Sequence, residues 1–264
     1  ARGFATSATS ASAASAASSA TAPGIFEIRT YVIKPEHLTE YLQVCAETAS
    51  VRRALNPGFL GLWVTEVGNL TNQVTHMYHY ADYDARDATR AAMGKDGRWQ
   101  DFLKATKPHL VSQLSEIFLP ATTALRAAGI TVPPAEHMKA MARASDAAKA
   151  ALEAACDDAS QAAAEASAAA AAQGVFEIRT YQLELGYNPI PKLVAHMEDG
   201  LPSKMASDTA KLGQLVFMGW SDVGKLNQFV ELWRYPTCQD HIRVREAART
   251  AVKWRGTIGV VAPL

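Results

Sequence analysis

The sequence predicts an α+β protein made of two tandem copies of one module, and three observations carry that prediction. The hexapeptide Phe-Glu-Ile-Arg-Thr-Tyr occurs at Phe26–Tyr31 and again at Phe176–Tyr181, preceded by Gly24-Ile25 and by Gly174-Val175. Downstream, Gly68-Asn69-Leu70-Thr71-Asn72-Gln73 matches Gly224-Lys225-Leu226-Asn227-Gln228 with one residue fewer. Without further gaps Tyr80 then falls on Tyr235, Arg90 on Arg245, Trp99 on Trp254 and Pro108 on Pro263. Separated blocks recurring in one order mean that one supersecondary unit is built twice. The modules span residues 24–120 and 174–264, behind a low-complexity tail (1–23) and around an alanine-rich linker (121–173).

Each module reads as strand, helix, strand, strand, helix, strand. Ile25 to Ile33 is rich in β-branched and aromatic residues. Phe26, Ile28, Thr30 and Val32 take one face, and Glu27, Arg29 and Tyr31 the other. Pro35 stands where a first helical turn tolerates it, and Leu38, Leu42 and Cys45 follow at helical spacing in a helix to about Leu55, ended by Asn56-Pro57-Gly58. Phe59 to Val67 and Val74 to Tyr80 read as strands joined by a hairpin over Gly68 to Asn72. Asp84 suits the N-cap of the next helix, which carries Arg86 and Arg90 four apart on one face. A second helical piece holds Trp99, Phe102 and Leu103, and Ile117-Phe118-Leu119 reads as the last strand. An antiparallel sheet of this kind buries one face under its own helices, so the other face must meet something. Two linked copies supply the answer: ferredoxin-like modules forming a pseudo-dimeric α/β barrel, with a long Ala-rich helical insertion.

The insertion, Ala135 to Gln173, is mostly Ala with Glu, Lys, Met and Gln, all strong helix formers, and Gly174 is placed to stop it. A continuous helix there would run ~50–60 Å at about 1.5 Å per residue. Beyond Cys156 it has no large apolar side chain, so it reads either as a linker or as an arm lying on another protein. From Ala1 to Gly24 nearly every residue is Ala, Ser or Thr, with Arg2 the sole charge, a composition that suits the remnant of a mitochondrial or plastid transit region or a plain linker. The balance of 26 basic and 26 acidic residues speaks against a basic nucleic-acid binder. Cys45, Cys156 and Cys238 are odd in number and widely spaced, which is neither a disulfide framework nor a structural zinc site. No apolar run is long enough for a transmembrane helix.

The repeated FEIRTY, the block Gly68–Arg86 and the Trp-containing helix after it resemble the NIPSNAP family, and Gly224–Arg243 is similar to the same pattern. The resemblance implies a dimeric α/β barrel, mitochondrial residence in the matrix or on the matrix side of the inner membrane, and non-enzymatic roles in protein–protein contact. The resemblance also implies a role in organelle quality control, and the two low-complexity segments, which would need a partner to order them, point to an accessory subunit of a larger assembly, such as a respiratory-chain complex. The partners would be other mitochondrial proteins, engaged through the tail and the Ala-rich segment, with no cofactor. Two features depart from the pattern: the insertion itself, and His79 where the second copy has Arg234.

The barrel superfamily includes haem-binding and quinol-oxidising members, so a ligand-binding or monooxygenase-like oxidoreductase barrel is the alternative. The candidate cleft-lining residues are Glu27, Arg29, Tyr31, His76, His79, Glu177, Arg179, Tyr181 and Arg234, with Arg90 and Arg245 as candidate anion contacts. No residue is assigned a catalytic role. His76 and His79, three apart on a strand, point to opposite faces and cannot share a metal, so no metal site is expected from them. The duplicated Glu27/Arg29 and Glu177/Arg179 pairs read as structural cross-strand networks rather than cleft chemistry. Trp99 and Trp254 read as helix-to-sheet core. The sequence shows no Gly-rich phosphate loop and no nucleophile elbow.

Overall fold

A computed structural model describes residues 23–143 and 174–261. The expectations for the tail and for residues 144–173 of the Ala-rich segment lie outside the described residues. The first module runs β1 (Ile25–Ile33), a 3₁₀ turn (Pro35–His37), α1 (Leu38–Glu47), α2 (Ala49–Leu55), β2 (Phe59–Val64) and β3 (Gln73–Tyr80), then α3 (Tyr83–Lys95), α4 (Gly97–Thr106) and β4 (Leu110–Pro120). A short α5 (Thr122–Ala127) and a helical stretch α6 (134–143) follow. The second module runs β5 (Val175–Gln182), α7 (Pro189–Ser207), β6 (Gln214–Val223), β7 (Gln228–Tyr235), α8 (Cys238–Thr250) and α9 (Val252–Val261).

Several boundaries differ from the sequence reading. The first helix is two helices meeting at Thr48, whose hydroxyl donates to the Val44 carbonyl at 2.7 Å, a side-chain bond that competes with the helical ladder. β2 stops at Val64, and Val67 is left 80% exposed in the hairpin. The N-cap of α3 is Asp82, not Asp84: the Asp82 carboxylate accepts the Ala85 N–H at 2.8 Å, and Asp84 sits in the first turn, where it complements the helix dipole. β4 begins at Leu110, well before Ile117, because Ser112, Gln113 and Ser115 hide the strand signal. Four strands were expected in each module. The second contributes three among the described residues, and Pro263, counterpart of the Pro108 that precedes β4, lies outside them.

The strands form one antiparallel seven-stranded sheet in the order β2-β3-β1-β4-β6-β7-β5. The modules join where β4 pairs with β6, from Ile117 opposite Val223 to Pro120 opposite Gly219. The sheet then curls on itself: Phe26 meets Phe217 across the interior at 4.5 Å, and Trp63 of the β2 edge lies 5.4 Å from Phe176 of the β5 edge. Inward-facing Phe26, Leu60, Met77, Phe118, Phe217 and Leu232 make a shared core. α6 covers it with Ala135 and Met138, held by a bond of 3.0 Å between the His137 ring and the Leu215 carbonyl. Outside the barrel, each module keeps a separate helix-to-sheet core, around Tyr41 and Phe102 in the first and around Leu193, Met197 and Trp233 in the second.

The residue before each first strand shows how closely the copies agree. Gly24 and Gly174 both adopt a left-handed conformation, with φ of 74° and 75°. A Cβ at Gly24 would overlap His79 Nε2 and lie 2.5 Å from the Tyr80 carbonyl. At Gly174 it would lie 2.7 Å from the Tyr235 carbonyl and 2.9 Å from Arg234 Nε. Both positions therefore admit only glycine without strain. Gly24→Ala and Gly174→Ala should each cost about 1–3 kcal/mol. Urea denaturation monitored by tryptophan fluorescence checks this, and equal stability of variant and parent would contradict the assignment.

Candidate functional site

Alternation along β1 and β5 sends Glu27 and Glu177 to the helix-covered face of the sheet. Glu27 is fully buried. Its Oε1 accepts from Arg86 Nη2 at 2.8 Å and from Ser115 Oγ at 2.6 Å, its Oε2 accepts from the Tyr80 hydroxyl at 3.3 Å, and Arg29 Nε stands 3.9 Å away. Burial alone would raise its pKa, but the bonds from Arg86 and Ser115 and the charges of Arg29 and Arg86 hold the carboxyl below its usual range. Glu177 accepts from Arg179 at 2.7 Å and from the Tyr235 hydroxyl at 3.2 Å, with His241 Nε2 3.3 Å off. It is held down in the same sense, burial opposing and Arg179 prevailing. On the repeat offset that carries Tyr80 to Tyr235, Arg86 falls on His241. Carboxylate, tyrosine and a helix-borne basic side chain thus recur in both copies. The copies differ in enclosure: Ser115 of β4 completes the first network, whereas the Glu177 side chain is 26% exposed.

Beneath the helices each module also buries a cation that the sequence reading missed. Arg52 of α2 donates to the Tyr78 hydroxyl at 2.6 Å, lies 3.3 Å from His76 Nδ1, and stacks its guanidinium over Trp99 at 5.1 Å and Phe102 at 4.9 Å. Arg52 can only donate, so His76 Nδ1 accepts and Nε2 carries the hydrogen offered to the Tyr41 hydroxyl oxygen 3.3 Å away. Burial, then the charges of Arg52 and Arg29, push the His76 pKa well below its ordinary value and keep the ring neutral. In the second module Lys204 of α7 places its Nζ 3.7 Å from the Trp233 ring centre and 4.7 Å from that of Trp254, with no hydrogen-bond partner for Nζ among the described residues. Burial lowers its pKa to about 8, although Glu231 and Glu177 pull the other way. Glu231, in the place of His76, accepts from Trp233 Nε1 at 2.7 Å and stands 3.7 Å from Arg179. One signal was present in the sequence: Arg52 follows Tyr41 and Cys45, and Lys204 follows Leu193, Met197 and Leu201, both on the apolar stripe of a helix.

The residues named from sequence therefore fall in several places. Glu27, Arg29, Tyr31 and His76 gather under the first module's helices, where the Tyr31 ring lies 5.2 Å from the Arg29 guanidinium and 4.9 Å from His76. Glu177, Arg179 and Tyr181 gather under the second, where burial raises the Tyr181 pKa to about 12. His79 and Arg234 face the barrel. The His79 ring packs on Phe26 at 5.0 Å and touches the Pro23 carbonyl at 3.3 Å, while Arg234 donates to Gln214 at 3.1 Å. His76 and His79 thus lie on opposite faces. Arg90 is half-buried near Tyr31 and Tyr80, and Arg245 is exposed. Inside the barrel a small cleft, partly open to solvent, is lined by Ile28, Trp63, Met77, Ile178, Phe217 and Val230.

A duplicated α+β module, joined edge to edge into a curled antiparallel sheet with its polar clusters locked under the helices, defines a ferredoxin-like α/β barrel protein. Its sequence assigns it further: the NIPSNAP profile matches residues 26–124 and again 176–264, and the chain belongs to the NIPSNAP family. It is 36% identical to NipSnap homolog 3B of Mus musculus over 76 residues, 29% of this chain and 30% of that protein. To NipSnap homolog 3A of Homo sapiens it is 35% identical over 96 residues, 36% of this chain and 38% of that one. These matches span about a third of each relative. The NipSnap homolog of Dictyostelium discoideum aligns over 90% of this chain and 81% of its own length at 21% identity. Among solved structures, a NIPSNAP family protein of Agrobacterium tumefaciens is 33% identical with a TM-score of 0.35, covering 36% of this chain and 84% of its own. A putative monooxygenase of Lactobacillus acidophilus covers 89% of this chain and 85% of its own, at 10% identity and a TM-score of 0.49.

Two predictions follow from burial and charge. Glu27→Gln leaves Arg86 facing a neutral partner in a dry site and should cost about 3 kcal/mol at neutral pH, whereas the half-open Glu177→Gln should cost about 1 kcal/mol. Because both folded pKa values are depressed, that stability is present above the unfolded value of about 4.3 and is lost as pH falls through the folded one. Denaturant titrations of parent and variants from neutral to acid pH should converge at the acid end. Lys204 has the same sign for a different reason. Its amine charges less readily in the fold than in the unfolded chain, so stability rises with pH from about 8 to the unfolded value near ~10.4. Lys204→Met should remove that rise while leaving neutral-pH stability equal or higher; an unchanged rise would show that Lys204 is not its source.

Proposed function

We propose that this chain is a non-catalytic mitochondrial protein acting through contacts with other proteins, as an accessory subunit of a larger assembly. The observation that carries this reading is the occupancy of both places where chemistry would be done. The barrel interior is filled by Phe26, Met77, Phe118 and Phe217 and covered by α6, which leaves only a small apolar cleft partly open to solvent. Under the helices the carboxylates Glu27 and Glu177 are each engaged by a guanidinium and a tyrosine hydroxyl. Family membership agrees with this reading. A surface for contact is available at the hairpin end of the second module, where Leu185, Tyr187 and Leu226 are 77%, 99% and 71% exposed on loops tied together by Gln182 and Asn227.

The test is affinity capture from isolated mitochondria with native mass measurement. The expected result is one defined assembly, weakened several-fold by Tyr187→Ser and Leu226→Ser; a chain that stays outside the organelle or migrates alone would overturn the reading. Residues 1–23 and residues 144–173 of the Ala-rich segment, beyond the α6 stretch that packs on the barrel, are proposed as partner-contacting arms, since neither has the apolar side chains to offset a backbone ordering cost of about 1–2 kcal/mol per residue. Their amide exchange should slow in the assembly relative to the isolated chain. The second reading, a binding protein for a small apolar molecule, draws on the apolar lining of the same cleft. Co-purification of one such molecule at stoichiometric amount, detected by mass spectrometry after denaturation, would favour it.

A further inference from the structure

We propose that His37, Glu40 and His109 form a surface site for a divalent transition metal, with zinc(II) the ion their chemistry fits. The site lies at the far end of β1 from the Glu27 network. His37 ends the 3₁₀ turn after β1, Glu40 is in the first turn of α1, and His109 immediately precedes β4. Pairing of β1 with β4 reaches Ile33 opposite Leu110, and the Lys34 N–H donates to the His109 carbonyl at 2.7 Å. The sheet therefore holds the two histidine-bearing segments in register before any ion arrives.

The ligand atoms already converge. Glu40 Oε2 lies 3.1 Å from His37 Nδ1 and 3.5 Å from His109 Nε2, and all the ligand atoms lie within 4.8 Å of one another. A tetrahedral ion with bonds near ~2.1 Å needs ligand-to-ligand edges of about 3.4 Å, so two of the three edges are in place. Closing the third, and turning both in-plane nitrogen lone pairs toward one point, needs the His37 ring to swing out of its present stack on His109, where the ring centres are 4.6 Å apart and the planes 7° from parallel. His37 and Glu40 have room to turn, with side chains 39% and 60% exposed, while buried His109 is the fixed member. Two imidazole nitrogens and one carboxylate oxygen make a set that zinc accepts, with the fourth position left to water on the open side. The second module does not repeat the site: Leu183 to Lys192, which follows β5, contains no histidine.

Calorimetric titration of zinc(II) into the intact chain tests the proposal, with His37→Ala and Glu40→Gln as exposed substitutions that spare the fold, and Cys238→Ser as control for the exposed thiol. The expected result is one saturable site per chain, weakened by at least about 10-fold in each of the first two variants and unchanged in Cys238→Ser. Cobalt(II) should give a visible absorption band that the same two substitutions abolish. Zinc affinity unaltered by both His37→Ala and Glu40→Gln, loss of binding in Cys238→Ser, or no saturable site in the parent chain would overturn it.

Discussion

The fold depends on the pairing of β4 with β6, four residues on each side. Each module alone would leave the inner face of its sheet, with Phe26, Met77 and Phe118 in one copy and Phe217, Val230 and Leu232 in the other, open to water. Joining the sheets edge to edge lets right-handed twist accumulate over seven strands until the ends approach and the inner faces bury each other. The contact between Trp63 and Phe176 across the two outer strands is the result of that curling. Covalent linkage makes the association intramolecular, so it is not subject to the concentration dependence of two separate chains.

Duplication kept the frame and changed its chemistry. Gly24 and Gly174, Tyr80 and Tyr235, and Glu27 and Glu177 hold the same roles, because each answers a demand of backbone or buried charge that both copies share. The buried cations under the helices diverged: arginine with histidine and tyrosine in the first, lysine with glutamate and tryptophan in the second. Each combination is consistent within itself. Arg52 has hydrogen-bond partners for its fork and neutral His76 beside it, whereas the Lys204 Nζ, with no hydrogen-bond partner among the described residues, rests on two indole faces near Glu231. Exchanging one member without the others would strand a charge in a low-dielectric site, which explains why the differences come as sets.

How much of this was legible in the sequence followed the range of the interaction. The repeat, β1, the hairpin between β2 and β3, and the opposite facing of His76 and His79 all depend on residues a few positions apart, and they read correctly. The break at Thr48, the true N-cap at Asp82 and the long polar-looking β4 did not. In each, a local signal competed with another, or a strand was stabilised by its neighbours rather than by its own residues. The buried Arg52 and Lys204 left only an indirect trace, a charge on an apolar stripe, which sequence reading takes for a solvated position.

The sequence by itself determined the doubled module, the order of strands in the first copy, and the family, because period and repeat are properties of the chain read in one dimension. Only the tertiary structure decided which distant groups meet: Glu27 with Arg86 and Ser115, Arg52 with His76 and Tyr78, α6 over the barrel core, and His37 and Glu40 with His109. The physical reason is that such meetings are set by sheet register and closure, cooperative outcomes of many weak contacts that leave no mark on any single stretch of residues.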